Sequence, residues 1–572
     1  MVYTGKPSKG CGMCKSRRIK CDEKKPTCGN CKKSNRDCPG FQDDFDLVFR
    51  DENKAMARKA KKTSGPSPTS SSAGASSSRT SPHLSSSSSL EQVPGEGSFQ
   101  ITTSRSRTPS DLSQTQQIVA LKDYATPPPA LDQVFDFENF VWNLENAVPP
   151  SITLAPETEA IPFFFKNFIT LPQQAESTRG YLEYLVPLYN CALPSSVLHL
   201  ATTAVALGVC GQYPGRQVLL RDAVSTYGKA IKMLNDDLKD AAKSKSDETV
   251  LAILMFSLYE TIMSTDDSIT AWGNHVDGAV ALTKLRGTDQ FNNPLSHAIF
   301  RAVRTMMITS CVQRSKPIDN FPGSKGWVGQ GDISEENAAN RLTLICIDLP
   351  SLRARANLLT TTPYDPDAVS EARQVLSFAE MVDTNLEEWY RTLPPEWKHR
   401  IIGVVSASIA PEDIALAEKW PGEQHVYHDV PLASIMNDYR VCRIFCRRVM
   451  MACVVWLKFG GHADDEGAYD RSAYVIQQMV DEISACVPFH MDYELQPVAQ
   501  ELGQEQNAAE AFGGYSLVWP LYVAANAETV PQDQRDWLFG RLSVIGTKFG
   551  LSSAQVLVLA RRHILTCGPM FP

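Results

Sequence analysis

Cys11, Cys14, Cys21, Cys28, Cys31 and Cys38 follow one another with the spacing C-x2-C-x6-C-x6-C-x2-C-x6-C. Moving the first three by 17 positions places them on the second three, so the segment is an internal duplication. Gly12 and Lys15 recur with it, as Gly29 and Lys32. Structural zinc takes four tetrahedral ligands, usually thiolate or imidazole. No histidine precedes His83, so sulfur must supply a site here. Six thiolates can serve one zinc with two left over, or two zincs if two thiolates bridge. Under the duplication the bridges should be equivalent positions, and Cys11 with Cys28 is the natural pair. Two Zn²⁺ and six thiolates sum to a charge of −2, which the neighbouring lysines and arginines offset. The stretch Met1–Gly10 has no apolar run of a secretory leader. Reduced thiols are therefore expected, and a metal site rather than a disulfide framework.

The spacing resembles that of the fungal Zn₂Cys₆ binuclear zinc cluster transcription factors. The resemblance extends to the basic run Lys15-Ser16-Arg17-Arg18-Ile19-Lys20 and to Pro26 in the loop between the halves. It implies two Zn²⁺ per chain. One would be held by Cys11, Cys14, Cys21 and Cys28, the other by Cys28, Cys31, Cys38 and Cys11. It also implies that the helix after Cys14 enters the major groove of double-stranded DNA and reads a CGG triplet. Guanine offers N7 and O6 there, which a guanidinium meets with two hydrogen bonds. Arg18 is the reading candidate and Arg17 the second; many family members carry lysine at the position of Arg18. Lys15, Lys20, Lys24, Lys25, Lys32, Lys33 and Arg36 are assigned to phosphates. Each lysine could equally be a solvated charge balancing the cluster.

The charge distribution agrees with a polyanion bound at one end. The whole chain of 572 residues carries −8, but residues 1 to 62 hold 17 Lys and Arg against 8 Asp and Glu. The remainder is correspondingly acidic. Residues 1–62 read as the DNA-binding module with a basic tail (Arg58, Lys59, Lys61, Lys62), a candidate nuclear localisation signal or phosphate contact. Phe45, Val48, Phe49 and Met56 are too few for a coiled coil, which needs apolar a and d positions over three or four heptads. Residues 63–130, rich in Ser, Thr, Pro and Gly, lack the apolar surface to offset ordering entropy and read as a disordered linker. It carries Ser67-Pro68, Ser81-Pro82, Thr108-Pro109 and Thr126-Pro127. An acidic–aromatic patch (131–150) opens the last region, 131–572, and reads as a docking helix or an activation segment.

That region reads as one large all-α domain, making the fold class mainly α. Val250–Met263 is apolar almost all round, as an interior helix must be. The uncharged stretch Val197–Val209 is too short for a membrane span, which needs about 20 residues, and reads as a core helix. Asp266, Asp267 and Ser268 offer caps for a helix ending at Gly287. Ser334, followed by Glu335 and Glu336, marks another start. Helical periodicity continues through 367–393, 432–459, 469–486, 507–527 and 533–566, while alternating strand patterns are scarce. Tyr259-Glu260, Ala271-Trp272, His275, Gly278-Ala279, Leu282 and Arg286-Gly287 resemble the fungal-specific transcription factor domain. So do Gly513-Gly514-Tyr515, Trp519-Pro520-Leu521, Arg535 and Trp537.

His275 reads as a hydrogen-bonded core histidine, and Cys442, Cys446 and Cys453 as buried small hydrophobes. No catalytic motif is found. The expectation is a non-enzymatic regulator of RNA polymerase II transcription in the nucleus, partnered by DNA and by transcription machinery or coregulators, without membrane contact. The alternatives are a small-molecule receptor or enzyme-like helical domain with accessory DNA binding, or a repressor or architectural protein. A cavity with converging polar groups would favour a receptor.

Overall fold

The computed structural model describes residues 13–14, 17, 19, 21–22, 27–34, 36 and 38 of the cysteine-rich segment. It also describes 155–560, apart from 171–173, 179–180, 265–270, 324, 331, 407, 463–464, 466 and 492–509. The expectations for the basic tail, the linker with its Ser/Thr-Pro pairs and the acidic–aromatic patch lie outside these residues.

The cysteine-rich segment contributes α1 (Gly29–Lys33). The helical body opens with α2 (Pro156–Phe168), where Pro156 needs no N–H partner and Glu157 and Glu159 meet the positive end of the helix dipole. The short α3 (Leu185–Cys191) leads to α4 (Val197–Gly211) and α5 (Val218–Asp237). Next come α6 (Asp247–Ile262), α7 (Ala271–Arg286) and α8 (Pro294–Gln313). Helix α4 is the uncharged stretch, buried on all sides from Ala201 to Gly211 among α2, α5 and α6. Helix α6 is the other interior helix; Ser246 caps it by accepting from Thr249 N at 3.1 Å. Among the described residues no helix is long and apolar enough to cross a membrane.

The second half comprises α9 (Ala338–Ile345), α10 (Leu349–Thr361), α11 (Val369–Thr392), α12 (Val430–Phe459), α13 (Ala468–Met491), α14 (Glu510–Ala525), α15 (Gln532–Lys548) and α16 (Ser552–Ala560). Helix α12, 30 residues long, is its axis, with α10, α11, α13 and α14 packed around it. Contacts of α8 with α10, α2 with α14 and α6 with α16 merge both halves into one core. The mainly α class therefore holds.

Two local expectations need correction. The start signal at Ser334 belongs to a single 3-10 turn, Ile333–Glu335, whose Glu335 carboxylate accepts from Asp332 N at 3.4 Å. The helix begins at Ala338, where Asn337 accepts from Asn340 N at 2.9 Å. The periodicity over 533–566 is broken after Lys548, because Gly550 takes a φ of +65° and turns the chain into α16. A two-stranded antiparallel hairpin, β1 (Arg400–Val405) and β2 (Gly422–Val426), also interrupts the helices. Gly287, by contrast, sits at φ +64° directly after Arg286, as the stop of α7 requires.

The pair Gly513-Gly514 has a packing reason. A Cβ at Gly513 would lie 2.1 Å from the His490 carbonyl oxygen, and one at Gly514 would lie 2.3 Å from the Phe549 ring. Helices α13 and α14 thus meet backbone to backbone, and the approach encloses His490. Its Nε2 faces Asn437 Nδ2 at 3.2 Å. Asn437 cannot turn over, since its Oδ1 already accepts from Arg440 Nη1 at 2.7 Å. On the other side Nδ1 meets Ser516 Oγ at 3.1 Å, and Ser516 gives its own proton to Gly513 O at 2.9 Å. Only a neutral imidazole with its proton on Nδ1 satisfies this chain of donors and acceptors.

Burial, and then the charge of Arg440, push His490 down to about 3. In the unfolded chain a histidine titrates near 6.5, so the unfolded state binds the extra proton. The stability contributed by the neutral ring is complete above about pH 6.5 and is lost as pH falls toward 3. At pH 5 the expected loss is about 2 kcal/mol. Urea unfolding at pH 7 and pH 5 checks this. A His490→Asn variant should show a flatter pH dependence than the parent; an unchanged slope would remove His490 as its source.

Candidate zinc centre and nucleic-acid interface

The duplication seen in the cysteine spacing recurs in the backbone. Arg17 N donates to Met13 O at 3.3 Å and Ile19 N to Cys14 O at 3.1 Å. The equivalents 17 residues on, Ser34 N to Asn30 O at 3.2 Å and Arg36 N to Cys31 O at 3.1 Å, form the same pair of bonds. Each half is thus a helical turn closed by a wider loop, placing Cys14 and Cys31 in matching positions. Both are buried.

Cys28 lies where the two halves meet. Its sulfur is fully buried, stands 3.7 Å from Cys14 Sγ, and accepts from Cys31 N at 3.4 Å, which makes it the cap of α1. The sulfurs of Cys14, Cys28 and Cys31 all lie within 4.8 Å of one another, and Cys28 also groups with Cys21 and Asp22. Two ligands of one tetrahedral zinc, with Zn–S of about 2.3 Å, stand about 3.8 Å apart. The Cys14–Cys28 separation therefore fits a shared zinc. Cys28 thus lies near Cys14 and Cys21, expected on one zinc, and near Cys31, expected on the other. Cys21 and Cys38 are half-buried beside the buried three; Cys11 lies outside the described residues.

Asp22 was not foreseen. Its carboxylate accepts from Gly29 N at 2.8 and 3.0 Å, tying the third cysteine's loop to the start of α1. A Cβ on Gly29 would lie 2.5 Å from that carboxylate, so the glycine after Cys28 makes room for this clasp. The sequence signal was an acid beside Cys21, in a segment otherwise dominated by cations.

Among the proposed DNA contacts, Arg17, Lys32, Lys33 and Arg36 are exposed. Lys32 and Lys33 occupy the last turn of α1, where the carbonyl end of the helix also favours cations. Ile19 is exposed as well. Lys15, Arg18, Lys20, Lys24 and Lys25 lie outside the described residues. In the helical body, His275 hydrogen-bonds Tyr227 Oη at 2.9 Å, as a core histidine would. Cys446 and Cys453 are buried, and burial pushes the Cys453 thiol up to about 12. Cys442 is half-buried. His399, Glu423 and His425 cluster on the hairpin. The two imidazoles stack 3.7 Å apart and 11° from parallel, so their in-plane lone pairs run side by side instead of converging on an ion.

A duplicated thiol cluster edged by exposed cations, on a chain whose body is helical, defines a metal-clustered DNA-binding transcription regulator. The chain shares two regions with fungal transcription factors. Residues 9–46 match the fungal Zn(2)-Cys(6) binuclear cluster domain, and residues 144–316 match the fungal specific transcription factor domain. It is similar to transcription factor dbaG of Emericella nidulans, with 24% identity over 72% of this chain and 94% of that protein. White-opaque regulator 2 of Candida albicans is 53% identical over 8% of this chain and 10% of its own length. Transcriptional regulatory protein moc3 of Schizosaccharomyces pombe is 56% identical over 7% of this chain and 8% of its own. No solved structure matches the chain.

Proposed function

We propose that this regulator acts in the nucleus on genes transcribed by RNA polymerase II, reading CGG-like triplets through a cluster of two Zn²⁺. Cys11, Cys14, Cys21 and Cys28 hold one zinc; Cys28, Cys31, Cys38 and Cys11 hold the other. The observation that supports this reading is the Cys28 sulfur, which lies near Cys14 and Cys21 of one set and near Cys31 of the other. Bound zinc cross-links the thiolates and so supplies the folding energy that a segment with so little core lacks. Residues 1–62 form this module, 63–130 the linker, and 131–572 the domain that meets coregulators or the transcription machinery.

Arg18 reads the guanine edge, with Arg17 next in order, while Lys15, Lys20, Lys32 and Lys33 hold phosphates. Arg18→Ala should then cost about 1–3 kcal/mol on a CGG duplex and much less on a scrambled one. Lys33→Ala should weaken both duplexes alike and flatten the slope of log K against log salt by about one unit. Titrations of the full chain at several salt concentrations check both. Equal losses on both duplexes for Arg18→Ala would make Arg18 a backbone contact and pass the reading role to Arg17.

A further inference from the structure

The helical body holds a half-open cavity of about 290 Å³, close to the size range of small-molecule sites. It lies among helices from both halves: Phe168 comes from α2, Thr261 from α6, Thr309 from α8, Asp438 from α12, Trp519 from α14 and Ser553 from α16.

Several hydroxyls on its wall spend their protons on the helix backbone. A hydroxyl has one proton to donate and two lone pairs. Thr261 commits its proton to Ser257 O at 3.1 Å, Thr305 to Arg301 O at 3.0 Å and Thr309 to Thr305 O at 3.2 Å. Ser264 donates likewise to Glu260 O. These hydroxyls therefore offer the cavity lone pairs. The carboxylates of Glu183 and Asp438, which also line it, only accept when ionised. None of the described lining residues is Lys, Arg or His. The buried Ser553 Oγ makes no hydrogen bond among the described residues, an omission that a polar ligand would repair. Trp272 and Trp519 add aromatic surface, against which cations and rings both pack.

We propose that this cavity binds a small protonated amine bearing an aromatic ring. The ammonium lies against Asp438 and the α8 threonine hydroxyls, and the ring packs on Trp519. Two carboxylates with no basic side chain among the described lining residues favour a cation over an anion. A role as effector rests on the regulator reading above; the binding itself does not.

Three probes of one shape separate the charge from the ring: tyramine (cation), 4-ethylphenol (neutral) and 4-hydroxyphenylacetate (anion). Calorimetric titration of the full chain should rank them in that order, with tyramine at least about tenfold tighter than the anion. Asp438→Asn, which keeps the side chain's shape, should weaken tyramine by about tenfold and leave 4-ethylphenol nearly unchanged. Thr309→Phe should fill the space and weaken all three. If that variant does not fold, the Asp438→Asn comparison decides. Absence of binding by every probe, equal affinity for tyramine and 4-hydroxyphenylacetate, or an Asp438→Asn variant that binds tyramine unchanged would each overturn the proposal. Duplex binding by the parent protein is measured in parallel. Its absence alongside intact amine binding would fault the regulator reading and leave the cavity assignment standing.

Discussion

Replacing Cys28 with serine is expected to empty both metal positions and abolish specific DNA binding by the full chain. The Cys28 sulfur is buried, 3.7 Å from Cys14 Sγ, grouped with Cys21 on one side and Cys31 on the other, and it caps α1. A serine oxygen keeps the capping acceptor but is a poor thiolate substitute. Structural zinc supplies roughly 10–16 kcal/mol of folding free energy in modules of this size, so losing it should unfold the segment. Cys14→Ser removes a ligand from one group only and should reduce, not eliminate, the bound metal. Metal analysis of the two purified variants, with a duplex titration, distinguishes them. Equal zinc contents in Cys14→Ser and Cys28→Ser would end the shared-thiol assignment.

The second large effect is expected in the helical body, at the seam of α11 and α12. Arg443 donates from Nε and Nη2 to the two oxygens of Asp383, both at 2.9 Å, and Arg447 donates to the same carboxylate. The Asp383 side chain is 3% exposed, against 7% for Arg443 and 15% for Arg447. Glu387, which also accepts from Arg443, is more than half exposed and screened by solvent. Asp383→Leu would leave two guanidinium groups facing each other with only that rim acid as counter-charge. Breaking a buried pair from one side costs about 3–5 kcal/mol, and removing both partners costs much less. Asp383→Leu should therefore shift the urea midpoint far more than Asp383→Leu combined with Arg443→Met. If the double variant were the less stable one, the pair would be a net source of stability, not a mutual neutralisation.

The sequence conveyed the parts whose information is local. The cysteine gaps of the first half recur in the second, and the hydrogen bonds of Met13–Arg17 and Asn30–Ser34 show the same turn twice. Among the long helices, α11 was legible because it keeps one apolar face for many turns, and α12 because apolar residues recur along its whole length. The hairpin was not, because β1 exposes Ile401 and Val404 and has no alternating pattern. The break between α15 and α16 rested on a single glycine within continuous apolar periodicity. The fit of Gly29 to Asp22 required knowing that two loops touch. The cavity was least legible, since its wall draws on residues from Phe168 to Leu557 and its acceptor bias depends on which carbonyl each hydroxyl reaches.

The twin six-residue loops, Cys14 O to Ile19 N and Cys31 O to Arg36 N, also set what lengths of chain the segment tolerates. Each loop measures out the path from one thiol to the next, and the other half holds those thiols to a fixed partner spacing. Adding or deleting one residue inside either loop would rotate the following cysteine away from its counterpart, however conservative the residue itself. Within these two loops a substitution at an exposed position should be tolerated better than an insertion or deletion. Natural variation there should take the form of changed letters at constant length.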